Sequence, residues 1–267
     1  MRLIPLYVIL ITWLRENYRG NPDKIIMEVT NMSFFDTRLW GWIRNNESAY
    51  NLIHRTIGMR IRRYYIKDRI SGIRKNGVKS IFEIDRVLSD NGFVHFVDFG
   101  TLLGFVRSGS PMKWDYDIDF GLCVDDDFQW SELGSILSGI GYKLKRQFSY
   151  QGTITEQTYA KDNVYVDFFS HRKNGNTSYY YIYFKDENYE YQSDRIMHAR
   201  MTTTIAISGN VALEVKGGSV YVPKEYEQYL EDVYGNDWRV PQPNWIGPPR
   251  ENVKMLDGFG EMTEFYN

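Results

Sequence analysis

The feature that most constrains this chain is a glycine-punctuated segment followed at once by a run of alternating carboxylates. Residues 100–107 read Gly-Thr-Leu-Leu-Gly-Phe-Val-Arg, and residues 114–121 read Trp-Asp-Tyr-Asp-Ile-Asp-Phe-Gly. The aspartates Asp115, Asp117 and Asp119 stand at every second position of the second segment. Because side chains alternate between the two faces of a β-strand, this spacing predicts a strand whose carboxylates share one face.

Carboxylates this close repel one another unless a cation neutralises them. Oxygen ligands favour a hard divalent ion, so we expect Asp115, Asp117 and Asp119 to face Mg²⁺ or Mn²⁺. The glycine turn allows the backbone to approach a phosphate closely, and Arg107 supplies a bidentate donor. Together these residues indicate phosphoryl or nucleotidyl transfer.

A third carboxylate and a histidine follow in a later apolar segment. Residues 164–169 read Val-Tyr-Val-Asp-Phe-Phe, and Asp167 is costly to bury there without a cation or a hydrogen-bond partner. We expect Asp167 to join the metal site, with a satisfied edge-strand carboxylate as the alternative. His171 is the histidine placed to accept a proton or contact phosphate, although a lone histidine is more often structural. Asp98 is expected to hold the glycine turn by accepting backbone N–H bonds, or to line the acceptor site.

Two ordered blocks resemble one known family. They are residues 100–107 with 114–119, and residues 222–230 running into 233–238. Over roughly residues 80–245 the chain resembles the LicD/fukutin family of phosphotransferases. Ser108, Lys113 and Tyr116 depart from the residues that family members often carry. Since Tyr116 would point away from the metal face of the strand, its effect on catalysis should be small.

The resemblance implies both a fold and a set of site residues. The fold class is α/β (or α+β), a mixed sheet of nucleotidyltransferase type flanked by helices, with a helical N-terminal extension. Implied metal ligands for Mg²⁺ or Mn²⁺ are Asp117, Asp119 and Asp167, with Asp115 as a ligand or a supporting group. The implied phosphate-binding residues are Gly100, Thr101, Gly104 and Arg107. Asp167, or less favourably His171, is implied to orient or deprotonate the attacking hydroxyl.

The resemblance also implies the reaction and its partners. The donor would be a CDP-linked alcohol of the choline, glycerol or ribitol type, and the acceptor a glycan or lipid-linked glycan precursor of the cell surface. Two alternatives stay open. One is a nucleotidyltransferase acting on a small molecule; the other is a non-catalytic glycan-binding protein that uses the tyrosine-rich segment 179–184.

Composition and charge exclude several further kinds of protein and binding site. A single cysteine, Cys123, excludes a disulfide framework and a thiolate zinc site. Basic residues cluster within residues 55–79 without a recognisable nucleic-acid motif, so no nucleic acid is expected. Residues 3–14 are nearly all apolar but too few to span a bilayer, so they form a buried element or a peripheral membrane contact. The expected location is the cytoplasm, and the alternative is the inner face of the cytoplasmic membrane.

The spacing of apolar residues and the positions of turn residues predict which helix or strand carries each motif. The predicted helices cover 36–75, 81–88, 102–107, 130–140 and 224–234, and the predicted strands cover 93–99, 112–124, 153–159, 164–169 and 179–184. Ser80 and Glu83 form a capping-box pattern at the start of the second helix, and Asn91 with Gly92 predicts its end. We expect residues 1–79 to form an N-terminal apolar and basic helical region packed on a catalytic domain at 80–267.

Overall fold

The computed structural model describes residues 59–184, 196–242 and 250–265, with side chains from residue 66 onward. The apolar segment at 3–14, the predicted helix before residue 59 and most of the proline-rich tail at 241–249 lie outside these ranges. The chain divides into two compact units, Met1–Lys67 and Asp68–Asn267. The predicted division at 79/80 stays a prediction, with residues 68–79 grouped in the second unit. None of the helices in the described ranges has the length and apolar character needed to cross a membrane.

The described residues form five α-helices and ten strands. The helices are α1 Met59–Gly72, α2 Val78–Asp90, α3 Phe99–Ser108, α4 Trp130–Gly139 and α5 Tyr226–Tyr234, with a π-helical turn at Ile73–Gly77 between α1 and α2. The strands are β1 His95–Val97, β2 Ile118–Val124, β3 Lys143–Tyr150, β4 Thr153–Lys161, β5 Val164–Asn174, β6 Thr177–Phe184, β7 Ile196–Ile205, β8 Asn210–Val215, β9 Gly218–Pro223 and β10 Val253–Glu264.

Eight of these strands form one mixed sheet in the order β1-β2-β5-β4-β3-β10-β7-β6. The β2–β5 pair is parallel, whereas the other neighbours pair antiparallel. An additional β5–β6 pairing closes the strands from β5 to β6 into a ring, and β8 and β9 form a separate hairpin. The predicted fold class, a mixed sheet flanked by helices, is confirmed.

The apolar core lies on one face of the β2–β5 pair. Ile118 and Phe120 of β2 stand opposite Val166 and Phe168 of β5, and all four are fully buried. The Phe120 and Phe168 rings stack with centroids 5.6 Å apart. Helices α2 and α4 contribute further buried side chains to this core: Ile81, Ile84, Leu88, Leu133 and Leu137. Burying each such side chain contributes about 1.5–3 kcal/mol, so this face anchors the strand register.

The predicted strand at 112–124 is wrong in its first half, because β2 begins only at Ile118. The chain instead turns at Met112–Asp115, where the Asp115 N–H donates to the Met112 carbonyl at 3.2 Å. The Met112 N–H donates in return to Asp115 Oδ2 at 2.9 Å. A carboxylate that bonds the backbone nearby competes with a strand ladder, so Asp115 ends the alternation that its spacing suggests.

The capping-box prediction at Ser80 is also wrong, because the helix does not start there. Ser80 lies buried inside α2, which follows the π-helical turn without a side-chain cap at Gly77. Glu83 instead accepts from Lys161 Nζ, with both carboxylate oxygens at 2.9 Å. The predicted end is confirmed: Asn91 caps α2 and Gly92 has a φ of 77°.

The other predicted elements are confirmed with shifted bounds, as β1, α3, α4, α5 and the β4-β5-β6 meander. Strands β3, β7, β8, β9 and β10 were not predicted. Most residues of β3, β7, β8 and β10 are only partly buried or exposed, whereas β9 buries Val220, Val222 and Pro223. A polar strand of this kind is recognised only once its pairing partners are known.

Gly121 offers a test of the core packing. A Cβ at this position of β2 would lie 2.3 Å from two ring atoms of Phe96 and 3.0 Å from Asp98 Oδ2. We expect Gly121→Ala to lower the free energy of unfolding by about 1–3 kcal/mol, as overpacking of a core does. The matched control is Gly139→Ala in α4, where a Cβ meets nothing within 4 Å. Urea denaturation of both variants checks the prediction, and equal stabilities would contradict it.

Candidate active site

The site is built on the parallel pairing of β2 with β5. In this register Asp119 stands directly opposite Asp167, on the face away from the Phe120–Phe168 core. The register thus places Asp167 beside Asp119, and its role as a metal ligand or proton acceptor stays a prediction. Asp167 is only 7% exposed, and its Oδ1 has no hydrogen-bond partner among the described residues.

Asp115 and Asp117 reach this cluster from the turn before β2. Burial raises the pKa of Asp117 to about 7, and the neighbouring Asp167 carboxylate adds to the rise. Burial raises the pKa of Asp115 to about 6, although the hydrogen bond from the Met112 N–H acts to lower this pKa. Burial raises the pKa of Asp119 well above its ordinary value, with the charges of Asp117 and Asp167 acting in the same direction. The neighbouring protein groups thus supply too little positive charge to stabilise the ionised forms of these carboxylates.

These residues can be tested against the divalent ion implied for them. Among the described residues, the side chains of His, Cys, Asp and Glu form no group of three or more that is already placed to hold a metal ion. In chemistry the set fits, because hard oxygen donors converge from β2, β5 and the preceding turn. The partnerless, buried Oδ1 of Asp167 points to the same conclusion, since such an atom is costly to bury unsatisfied. The donor set suits Mg²⁺ or Mn²⁺.

The N-terminus of α3 lies against these carboxylates. A Cβ added to Gly100 would lie 3.7 Å from Asp119 Oδ2 and 3.9 Å from Asp115 Oδ1. Thr101 Oγ1 accepts a bond from the Asp119 N–H at 2.9 Å, which ties the helix to β2. Free N–H groups at a helix N-terminus favour an anion, so a phosphate beside the carboxylates would meet them here.

Asp98 caps α3 from a fully buried position. Its Oδ1 accepts from the Phe99 N–H at 2.7 Å, which confirms the expectation that Asp98 holds the turn. The Tyr229 hydroxyl of α5 also donates to Oδ1, and His171 Nε2 of β5 lies 2.7 Å from Oδ2. Phe99 follows with a φ of 37°, a left-handed conformation that costs about 1–3 kcal/mol for a residue with a side chain. Buried hydrogen bonds to Asp98 thus hold a strained turn in place.

His171 therefore serves a structural purpose in this arrangement. Its Nε2 is engaged by Asp98, and its ring packs at 5.0 Å from the rings of Phe96 and Tyr180. A catalytic role for His171 stays a prediction, whereas the positioning of α3 follows from the contacts. In the same way, Gly104 is needed for packing: a Cβ there would lie 2.8 Å from the Ser110 carbonyl oxygen and 3.0 Å from the Met112 nitrogen.

Arg107 lies two turns along α3 from Gly100. Its Nη2 donates to the carbonyl of Trp238 and, at 3.4 Å, to that of Val240. Its Nε is buried without a hydrogen-bond partner in the described part of the chain. The guanidinium thus bridges α3 to the segment after α5. Its contact with phosphate stays a prediction, and the Nε–H is the donor that would make it.

Comparison with known proteins agrees with this geometry. Residues 92–207 match the family model described as LicD/FKTN/FKRP, nucleotidyltransferase domain. This part of the chain is similar to the LicD/fukutin family. The ribitol 5-phosphate transferases FKRP of Mus musculus and Homo sapiens are each 24% identical to this chain over 156 residues. That alignment covers 56% of this chain and 29% of the length of each relative.

Three charged residues near the site, on β3, β4 and α1, were not predicted. Glu156 of β4 is buried, and burial with the Asp167 charge raises its pKa well above the ordinary value. Arg69 and Arg146 lie close enough to lower the pKa of Asp117, and the Arg69 guanidinium carbon lies 3.5 Å from the Tyr165 ring centroid. The available signal for Glu156 was an ionisable residue inside a β-branched run.

The two glycines of the α3 motif are expected to respond differently to a methyl group. Gly100→Ala should fold normally, because its Cβ meets only ordinary contacts, yet it would place a methyl group between the helix N-terminus and the carboxylates. Gly104→Ala should lose about 1–3 kcal/mol of stability, because its Cβ meets backbone at 2.8 Å.

Thermal unfolding and a phosphate-transfer assay on both variants check this pair. For Gly100→Ala we expect a wild-type melting temperature with a transfer rate reduced on the order of 10-fold, as for one impaired electrostatic contact. A destabilised Gly100→Ala, or a wild-type Gly104→Ala, would contradict the geometry.

Proposed function

We propose that this chain is a metal-dependent phosphotransferase that moves a phospho-alcohol from a CDP-linked donor to a hydroxyl of a cell-surface glycan precursor. The phospho-alcohol is of the phosphocholine, glycerol phosphate or ribitol phosphate type. The observation that carries the proposal is the Asp119–Asp167 pair on adjacent parallel strands, with the α3 N-terminus beside it. The match to the LicD/FKTN/FKRP nucleotidyltransferase domain and the similarity to ribitol 5-phosphate transferases support the same reaction class.

In the proposed mechanism, Asp117, Asp119 and Asp167 would hold Mg²⁺ or Mn²⁺, with Asp115 as a further ligand or support. The ion supplies charge stabilisation for the diphosphate and the leaving nucleotide. Asp115 is held for this purpose by the Met112 N–H, and Asp119 by its backbone bond to Thr101 Oγ1. A bound cation would favour the ionised form of Glu156, whose pKa is raised by burial and by the Asp167 charge.

Binding of the donor phosphates falls to α3. Gly100 and Thr101 present backbone N–H groups at the helix N-terminus, where the helix dipole favours an anion. The glycine at position 100 keeps this end of the helix free of a side chain. Arg107 supplies a fixed positive charge on the same helix, because two backbone carbonyls hold its Nη2 in place.

The transfer step forms one bond and breaks one. The acceptor hydroxyl oxygen attacks the phosphorus bonded to the donor alcohol, the phosphoanhydride bond to CMP breaks, and CMP leaves. The hydroxyl proton passes to the Asp167 carboxylate, which lies buried beside Asp119. His171 contributes indirectly, since its Nε2 holds the Asp98 cap that positions α3.

The test is nucleotide release from a panel of CDP-alcohols, UDP-sugars and GDP-mannose, with and without Mg²⁺ and candidate glycan acceptors. We expect metal-dependent CMP release from a CDP-alcohol, reduced on the order of 100-fold or more in Asp117→Ala/Asp119→Ala. Pyrophosphate release with nucleotide left on a small acceptor would identify the alternative nucleotidyltransferase. Glycan binding unchanged in the double variant, without any transfer, would identify a glycan-binding protein.

Stability in the absence of substrate gives an independent prediction for the metal site. Because burial and neighbouring carboxylates disfavour the ionised form of Asp119, Asp119→Asn should raise the melting temperature in metal-free buffer at neutral pH. Mg²⁺ or Mn²⁺ should raise the melting temperature of the wild type and not that of the variant. The matched control is Asp127→Asn, an exposed carboxylate in the β2–α4 loop. Equal metal responses of wild type and Asp119→Asn would contradict the assignment.

A further inference from the structure

Two side-chain oxygens beside the proposed site are buried without a hydrogen-bond partner among the described residues. One is Oδ1 of Asp167 on β5, and the other is Oγ1 of Thr158 on β4. Thr158 is fully buried, and Asp167 is nearly so. Because a buried polar atom without a partner is costly, each of these two oxygens requires an explanation.

The sheet places these two residues directly opposite each other. Thr158 of β4 is the register partner of Asp167 on β5, and Asp167 is in turn the partner of Asp119 on β2. The three residues therefore form one row across neighbouring strands, on the face away from the apolar core. The Cβ atoms of directly opposite residues lie about 4.5–5.5 Å apart, which a hydrogen bond from a hydroxyl to a carboxylate can span.

Thr158 is also the neighbour that can donate a hydrogen bond to an ionised Asp167. Its own neighbours on this face of β4 are Glu156 and Ala160. When a cation holds Asp119 and Glu156 in their ionised forms, both only accept hydrogen bonds, and an alanine side chain does neither. Among the β2 and β4 residues beside Asp167 in the sheet, Thr158 thus provides the side-chain hydroxyl.

The spacing of the sheet decides which carboxylate Thr158 serves. Glu156 lies two residues away on the same strand, which corresponds to about 6.6 Å, whereas Asp167 stands opposite at the shorter separation between strands. Arg146 of β3 is the register partner of Thr158 on its other side, and its positive charge acts on Glu156. Arg146 thus compensates Glu156, and the Thr158 hydroxyl is left for Asp167.

We propose that Thr158 is the positioning residue of Asp167. In the ion-loaded site its hydroxyl donates to Asp167 Oδ1, which fixes the carboxylate and leaves Oδ2 for the proposed ion or the acceptor hydroxyl. A hydrogen bond of this kind favours the ionised form of a carboxylate, and such partners orient the groups that hold a metal. The inference rests on the proposed function, which it deepens by naming the residue that orients the proton acceptor.

The metal-free fold should not need the Thr158 hydroxyl. Since this hydroxyl has no partner in the described part of the chain, Thr158→Val keeps the shape of the side chain and removes an unsatisfied buried group. The matched control is Thr204 of β7, which is also buried but whose Oγ1 donates to the Ile205 carbonyl at 3.2 Å. Thr204→Val therefore removes a hydrogen bond that the fold uses, far along the sheet order from β5.

The test measures melting temperature, Mn²⁺ affinity by calorimetry and CMP release from a CDP-alcohol, all on the full chain. For Thr158→Val we expect a melting temperature in metal-free buffer at or above that of wild type. Its Mn²⁺ affinity and kcat should each fall about 10- to 100-fold, with the KM for the donor unchanged. Thr158→Ser keeps the hydroxyl and should restore most of both. Thr204→Val should show the opposite pattern, a lower melting temperature with wild-type Mn²⁺ affinity and kcat.

Two results would overturn the inference. One is a Thr158→Val variant with the Mn²⁺ affinity and kcat of wild type. The other is a loss of metal-free stability in Thr158→Val as large as that in Thr204→Val, because the hydroxyl would then serve the fold. A wild type that binds Mn²⁺ but releases no CMP from any CDP-alcohol would reject the proposed function alone, since Mn²⁺ titration of the variants still decides whether Thr158 positions Asp167.

Discussion

The parallel pairing of β2 with β5 is the interaction on which the rest of the structure depends. It sets Phe120 against Phe168 on one face and Asp119 against Asp167 on the other. Because the side-chain period of a strand is two, a slip of one residue would carry the carboxylates into the core. The buried apolar face therefore fixes the register, and the register creates the site. Fold stability and carboxylate geometry come from the same few residues of two strands.

Asp98 links this strand pair to the helices that complete the site. Its N–H donates to the Asp119 carbonyl at 2.9 Å, while its carboxylate receives the Phe99 N–H and the Tyr229 hydroxyl and contacts His171. A buried carboxylate with several donors is well satisfied, whereas loss of one donor leaves a costly unpaired group. The network thus explains how α3 keeps a strained first residue while its N-terminus stays aimed at the carboxylates.

The sequence predicted the parts of the site that obey local rules. Asp119 was found from the alternating spacing of three carboxylates, and Asp167 and Asp98 because a carboxylate inside an apolar segment is costly to bury without a partner. Asp115 was placed on the wrong element, since a carboxylate can bond the Met112 N–H as readily as it can alternate along a strand. Glu156 was missed because its position beside Asp167 depends on the pairing of β4 with β5, which no local pattern encodes.

The crowding of carboxylates also makes the folded state depend on what it binds. Burial and mutual repulsion raise the pKa of Asp115, Asp117 and Asp119, so their ionised forms weaken the fold at neutral pH. Arg69 and Arg146 offset only part of this charge. A cation that binds the folded state and not the unfolded chain would reverse the penalty through linkage. A fold built around such a cluster would gain stability from the proposed ion, so folding and loading of the site would be coupled.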